Sequence, residues 1–272
     1  MAITSNKYII QTLERITAFD LETGACDFIV DDLQEGQLSV SSEIVYAEGK
    51  NGVKISSADR NKESTFTATN GSIVDGLLAA QLGTDVEIGT QTVPNYMDVI
   101  ETANGTSATT TYVAQGATGQ EIKYIYKRNA DGTQGEKYGI ASTASATAFA
   151  YDPSTKAITL PTGKFSAGDE IIAFYDIKVA NAKKITNSED KFSKTDKVIF
   201  DIFAKDICTE KSYFANIIFY KGKISGTFDI AFGNDPATHN LEITALSGGC
   251  TKGASKVLWD MIIWDDDEVQ DS

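Results

Sequence analysis

A chain of 272 residues with 38 acidic against 24 basic side chains, formal charge −14, repels phosphate backbones and so disfavours nucleic-acid binding through a basic patch. Its 42% hydrophobic and 23% charged content is too apolar for a disordered chain, and the length suffices for one large domain or two smaller ones. Twenty-two glycines against four prolines, with abundant Thr, Ser, Ala, Ile and Val, favour strands and tight turns.

In chain order, Tyr8–Ile10 and Ile16–Phe19 read as short strands, Leu21–Gly24 as a turn, and Asp27–Leu33 as a further strand. Leu38–Ser41 alternates apolar with polar, the period of a half-buried strand. Val45–Ile55, with Asp59, Arg60 and Asn61 after it, reads as a long, glycine-punctuated loop of mixed charge. It holds no arrangement that could run chemistry, and such an excursion is expected to reach another copy of the chain. Thr65–Thr69 alternates again. One helix is predicted next: Ser72 as N-cap, Asp75 against the helix dipole, Ile73, Val74, Leu77, Leu78 and Leu82 on one face, and Gly83 closing it.

From about Thr102 the composition shifts to Thr, Ala, Gly and Ser. Glu121–Tyr126 and Lys137–Ile140 flank Ala130–Thr133, whose Asp-Gly pair signals a hairpin turn. Ala157–Leu160 and Glu170–Tyr175 flank a second turn region. The expectation is a small β module, residues 106–180, inserted into a main β domain made of 1–105 and 181–272. The last third reads as a meander: Lys197–Ile207, Tyr213–Tyr220, Lys223–Phe232 and Asn240–Leu246, with Lys221-Gly222 among the turns. Val257–Trp264 is a final strand, in which parity puts Trp259 and Trp264 on opposite faces, and Asp265–Ser272 is an acidic tail.

Met1–Thr12 has no apolar run for a signal peptide, and no segment approaches the ~20 apolar residues of a membrane helix. Synthesis and retention in a cytoplasm are expected. The widely spaced Cys26, Cys208 and Cys250 then suit reduced thiols.

Catalytic chemistry finds little to stand on. His239 is the sole histidine, and no Cys or His sits near it at ligand spacing, so a hydrogen-bonded turn residue outweighs a triad or zinc ligand. Asp31-Asp32 and Asp265–Glu268 lack the converging pattern of a cation loop, and Asn129–Gly132 lacks the closing Glu of a calcium hand. No metal, cofactor or catalytic residue is expected. The aromatics Tyr213, Phe214, Phe219, Phe228, Phe232, Trp259 and Trp264 read as sheet core rather than a sugar platform.

The order of these elements resembles the tail tube (major tail) protein family of long-tailed bacteriophages. The resemblance is carried by Ile16–Gly24 with the strand ending Asp31-Asp32-Leu33, and by Val45-Tyr46-Ala47-x-Gly49-x-x-Gly52 with Asp59-Arg60-Asn61. A Thr-rich strand before the Ser72–Leu82 helix and the C-terminal meander complete it. It implies a mainly β fold, a tail-tube-type β-sandwich or half-barrel with one packed helix plus the inserted β module. It further implies a homo-oligomer of stacked, commonly hexameric, rings, with Tyr46, Lys50, Lys54 and Arg60 as assembly contacts. Implied partners are other tail proteins (tape measure inside the tube, terminator, baseplate or sheath), with DNA as a non-specific passenger. The inserted module would decorate the outside. Rival readings are a head-decoration or tail-terminator subunit, a carbohydrate-binding sandwich or adhesin, and a glycan-cleaving enzyme for which no carboxylate pair can be located.

Overall fold

The structure, a computed structural model, describes residues 7–230, 237–248 and 256–265. It is mainly β, 58% strand against 4% helix, with a curled half-barrel sheet and a second sheet. The chain divides into two compact units, one formed by 1–86 with 185–272 and the other by 87–184. The first unit opens with β1 (Tyr8–Asp20), β2 (Cys26–Val30), β3 (Leu33–Glu48), β4 (Lys54–Asn70) and α1 (Asp75–Leu82). The second unit follows with β5 (Glu87–Glu101), β6 (Ser107–Thr109), β7 (Tyr124–Arg128), β8 (Gln134–Ile140), β9 (Ala148–Asp152), β10 (Ala157–Thr159) and β11 (Glu170–Lys184). The chain then returns to the first unit with β12 (Thr195–Asp206), β13 (Ser212–Ile224), β14 (His239–Ala245) and β15 (Trp259–Trp264).

In the first unit the strands pair in the order β2-β1-β12-β13-β14-β4-β3, and β15 also pairs with β13. Strict alternation drives this sheet. Val198, Phe200 and Ile202 of β12 face inward, as do Ala215, Ile217 and Phe219 of β13 and Leu241, Ile243 and Ala245 of β14. Phe200 lies between Phe66 and Phe219, with ring centroids 4.2 and 5.0 Å away. The sheet curls until its far ends approach: a Cβ added at Gly36 of β3 would lie 2.8 Å from Leu13 Cδ2 of β1. Leu77 and Ala80 of α1 join the same core.

Three expectations are corrected here. The Val45–Ile55 segment is not a loop, because β3 and β4 pair from Leu33↔Asn70 out to Glu48↔Lys54. Within it only the turn at its tip, Gly49–Val53, lies outside the two strands. Glycine marked that tip, and the Ser and charged residues either side still form strands because pairing needs no apolar pattern. Lys221-Gly222 is not a turn either. β13 runs straight through it, and Gly222 is there for space, since a Cβ would lie 2.9 Å from Ile243 Cγ2 and 3.2 Å from Val198 Cγ2. The helix begins at Asp75 with Val74 as its uncapped N-cap. Ser72 instead donates to Asp32 Oδ2 at 3.0 Å and takes a bond from Asn70 Nδ2. Gly83 does end the helix, in the left-handed conformation at φ 67°.

β15 places its two tryptophans as parity predicts. Trp259 packs on the core and donates Nε1–H to Ser64 Oγ at 3.1 Å, whereas Trp264 stacks on Phe214 at 4.8 Å outside it. Residues 266–272 of the acidic tail, Gly233–Pro236, Phe232 and Cys250 lie outside the described residues. Cys26 and Cys208 are free thiols.

The second unit is a seven-stranded sheet, ordered β5-β11-β7-β8-β9-β10-β6. Its core gathers Ile122, Ile125, Tyr138, Phe149, Ile158, Ile171, Ala173 and Tyr175. The Asp-Gly hairpin joins β7 to β8, with Asp131 Oδ1 accepting from Thr133 N and Oγ1 at 3.0 and 2.6 Å, so its carboxylate serves the turn. The buried Asp98 is fully engaged, accepting from Tyr175 Oη at 2.6 Å and from Thr111 N and Oγ1 at 2.7 and 2.9 Å.

Candidate assembly surface

The β3–β4 pair outruns the sheet that carries it. β14 contacts β4 only from Asn70 to Thr65. Beyond that point Val40–Glu48 of β3 pair with Lys54–Ser64 of β4, and neither strand pairs with another strand there among the described residues. At about 3.3 Å per residue this two-stranded ribbon projects roughly 30 Å. From Ser41 to Lys62 every residue but Val45 and Gly49, which are half-buried, is exposed.

The four residues singled out in the sequence all lie on this ribbon. The ammonium of Lys54 sits 3.7 Å above the ring centroid of Tyr46. Lys50 occupies the tip, a single 3₁₀ turn in which Asn51 and Gly52 take φ of 63° and 71°. Arg60 is bound within the ribbon: Nη2 and Nε donate to Glu43 Oε1 and Oε2 at 3.0 and 3.2 Å. Asn61, at φ 53°, is part of a bulge opposite Glu43 and donates Nδ2–H to Glu43 Oε2 at 2.7 Å. Arg60 first, then Asn61, hold the Glu43 carboxyl below its ordinary range.

Sequence reasoning missed the apolar side chains of the ribbon. Ile44, Val53 and Ile55 are 50%, 60% and 69% exposed, and Val40 adds to them. No period marks them, because Ile44, Val45 and Tyr46 are consecutive apolar residues rather than alternating ones. Among the described residues both sheets also end in open margins: β2 and β3 in the first unit, β5 and β6 in the second.

Two polar clusters lie inside the first unit. His239 opens β14, buried, with its Nε2 2.7 Å from Gln81 Oε1, while Gln81 Nε2 donates to the Asn240 carbonyl at 3.0 Å. Burial pushes its pKa down. The hydrogen-bonded reading of this histidine is therefore right, although it belongs to a strand rather than a turn. At the other cluster, Lys194 bridges Asp27 and Asp85 at 3.0 and 2.9 Å. Burial works against the Lys194 charge, but the bonds to Asp85 and Asp27 outweigh it and its pKa rises. Asp196, beside them, is buried and pushed up to about 6, by burial first and then by Asp27. Asp20 is held low by the Thr23 N–H and hydroxyl.

Among the described residues no helix is long and apolar enough to cross a membrane. Open concavities exist, such as a groove of 660 Å³ in the second unit that includes Tyr124, Tyr126 and Phe174. Its Tyr124 ring already carries the ammonium of Lys137 at 4.6 Å.

These features define a β-built structural protein whose most exposed element is a ribbon and whose sheets end in open strands. Residues 8–259 match the YomU/Tube protein family, and the chain belongs to it; this is a phage tail tube protein family. Comparison with curated proteins finds no match. Membership makes the protein a tube-type structural component of the phage virion tail, assembling with other tail components.

Proposed function

We propose that the protein is the tail tube subunit, self-associating into stacked rings, commonly of six, whose bore passes the genome during ejection. The observation that carries this reading is the β3–β4 ribbon. An isolated two-stranded hairpin is marginal in water, and one bearing exposed Val40, Ile44, Tyr46, Val53 and Ile55 gains from being covered by a neighbouring subunit. Closing a ring edge to edge also satisfies the open sheet margins. Tyr46, Lys50, Lys54 and Arg60 are assigned to that contact.

The charge of −14 supports a conduit, since a basic lining would hold duplex DNA by counterion release. Partners on this reading are the tape measure within the tube and a terminator, baseplate or sheath at its margins, after synthesis in the host cytoplasm. Electron microscopy of the purified protein tests it. Hollow tubes or stacked rings are expected. Discrete single rings favour a terminator or head-decoration role, and monomers that bind glycan favour the adhesin.

A further inference from the structure

Asp20 ends β1 and Asp196 stands directly opposite it in the β1–β12 ladder. Asp27 comes to the same place from β2, where the ladder passes from Ala18↔Phe28 to Phe19↔Cys26 and leaves Asp27 as the extra residue of a bulge. One carboxylate oxygen from each of the three lies within 4.8 Å of the other two. Like-charged groups packed this closely on three adjacent strand ends repel, and Lys194, bonded to Asp27 Oδ2 at 3.0 Å, is the one cation among the described residues paired with them.

A cluster of acids is common on protein surfaces, but this one has a buried member. Asp196 is 1% exposed, and its Oδ2 has no hydrogen-bond partner. A buried carboxylate oxygen without a donor is costly unless something outside the chain satisfies it. Lys194 bonds to Asp27 Oδ2 and the outlying Asp85, and its single charge also acts on Asp20 and Asp196. With all groups ionised, four carboxylates (Asp20, Asp27, Asp85, Asp196) face one ammonium, an excess of three negative charges. A divalent ion reduces that excess to one.

We infer that Asp20, Asp27 and Asp196 form a binding site for an oxygen-seeking divalent cation, with calcium as the probe, that ties the β1–β2 turn to the start of β12. Carboxylate oxygens on three strand ends are the ligands that a hard divalent cation takes. The donor set is all oxygen, because the nearby Cys26 Sγ turns to the Phe28 carbonyl at 3.6 Å instead. Asp20 is free to take part through Oδ2, since Oδ1 serves Glu22 N, Thr23 N and Thr23 Oγ1. Water completes the coordination sphere. The inference is independent of the ribbon and of ring assembly.

Calorimetric titration of the chelator-stripped full-length chain with calcium chloride tests it, comparing wild type with Asp196→Asn, Asp20→Asn and Glu22→Gln. Asp20→Asn keeps the Oδ1 acceptor of the turn and covers the case in which Asp196→Asn fails to fold. Saturable binding of one ion per chain is expected in wild type and in Glu22→Gln, an exposed neighbour outside the cluster. Affinity should fall by about tenfold or more in each cluster variant. Thermal unfolding adds a second readout: calcium should raise the midpoint of wild type and leave Asp196→Asn unmoved. Absence of saturable binding in wild type, or equal affinity in all four proteins, overturns the assignment.

Discussion

Arg60 and Glu43 stand opposite each other across the β3–β4 ribbon, joined by two N–H···O bonds at 3.0 and 3.2 Å. Both side chains are largely exposed, so the pair contributes little to folding; on the proposed reading it serves to present a fixed shape to the neighbouring subunit. Arg60→Ala is therefore expected to leave the monomer's thermal midpoint unchanged while shifting sedimentation toward smaller species. A lowered midpoint with unaltered assembly contradicts that division of roles.

Gly222 marks a tight crossing inside β13, with Ile243 and Val198 methyls already where a Cβ would go. Gly222→Val should overpack this core and cost about 1–3 kcal/mol in urea unfolding. If the glycine merely marked a turn, the cost would be small.

His239 is the only histidine, so its ring protons can be followed in NMR without ambiguity. Burial depresses its folded pKa below the ordinary 6.5. Below pH 6.5 the unfolded chain takes up a proton that the folded one resists, so this group's contribution to stability is present above 6.5 and lost as pH falls toward the folded pKa. Protonation would also place a charged N–H at Nδ1, which is buried without a partner. A resonance titrating below pH 6.5 is expected, together with a smaller acid-side loss of stability in His239→Asn. A midpoint at or above 6.5 contradicts the account.

The two passages between the compact units fall at one cross-strand pair, Glu87↔Lys184, whose side chains meet at 3.3 Å. The segment 87–184 thus begins and ends at adjacent positions and holds its own core. Expressed alone, it is expected to unfold cooperatively, and limited proteolysis of the full chain should release it intact. Broad, non-cooperative melting of the fragment counts against an inserted folding module.

Much of the β content was legible because burial and period coincide. β12 and β13 alternate so regularly that their inward faces can be written from the sequence, and the Asp-Gly turn and Gly83 stop carry unambiguous backbone chemistry. The ribbon was not legible as strand, since both its faces are wet and no apolar period marks it. It was found as a place but misread as a loop. Lys221-Gly222 misled for the opposite reason: the residue that signals a turn was there to clear space. The acid cluster depends on a register, Asp20 against Asp196, and on a bulge at Asp27, neither of which exists until the strands have paired. Likewise Gln81 and His239, 158 positions apart, meet only in the folded sheet.

The ribbon's role can be isolated by removing it beyond Glu43↔Arg60 and rejoining the strands with a two-residue Asn-Gly turn, which suits antiparallel neighbours. Sedimentation velocity of this variant beside wild type, at equal concentration, is the most direct measurement. Large, tube-sized species for wild type and a folded monomer for the shortened chain are expected. Equal assembly by both proteins, or a wild type that remains monomeric, contradicts the account.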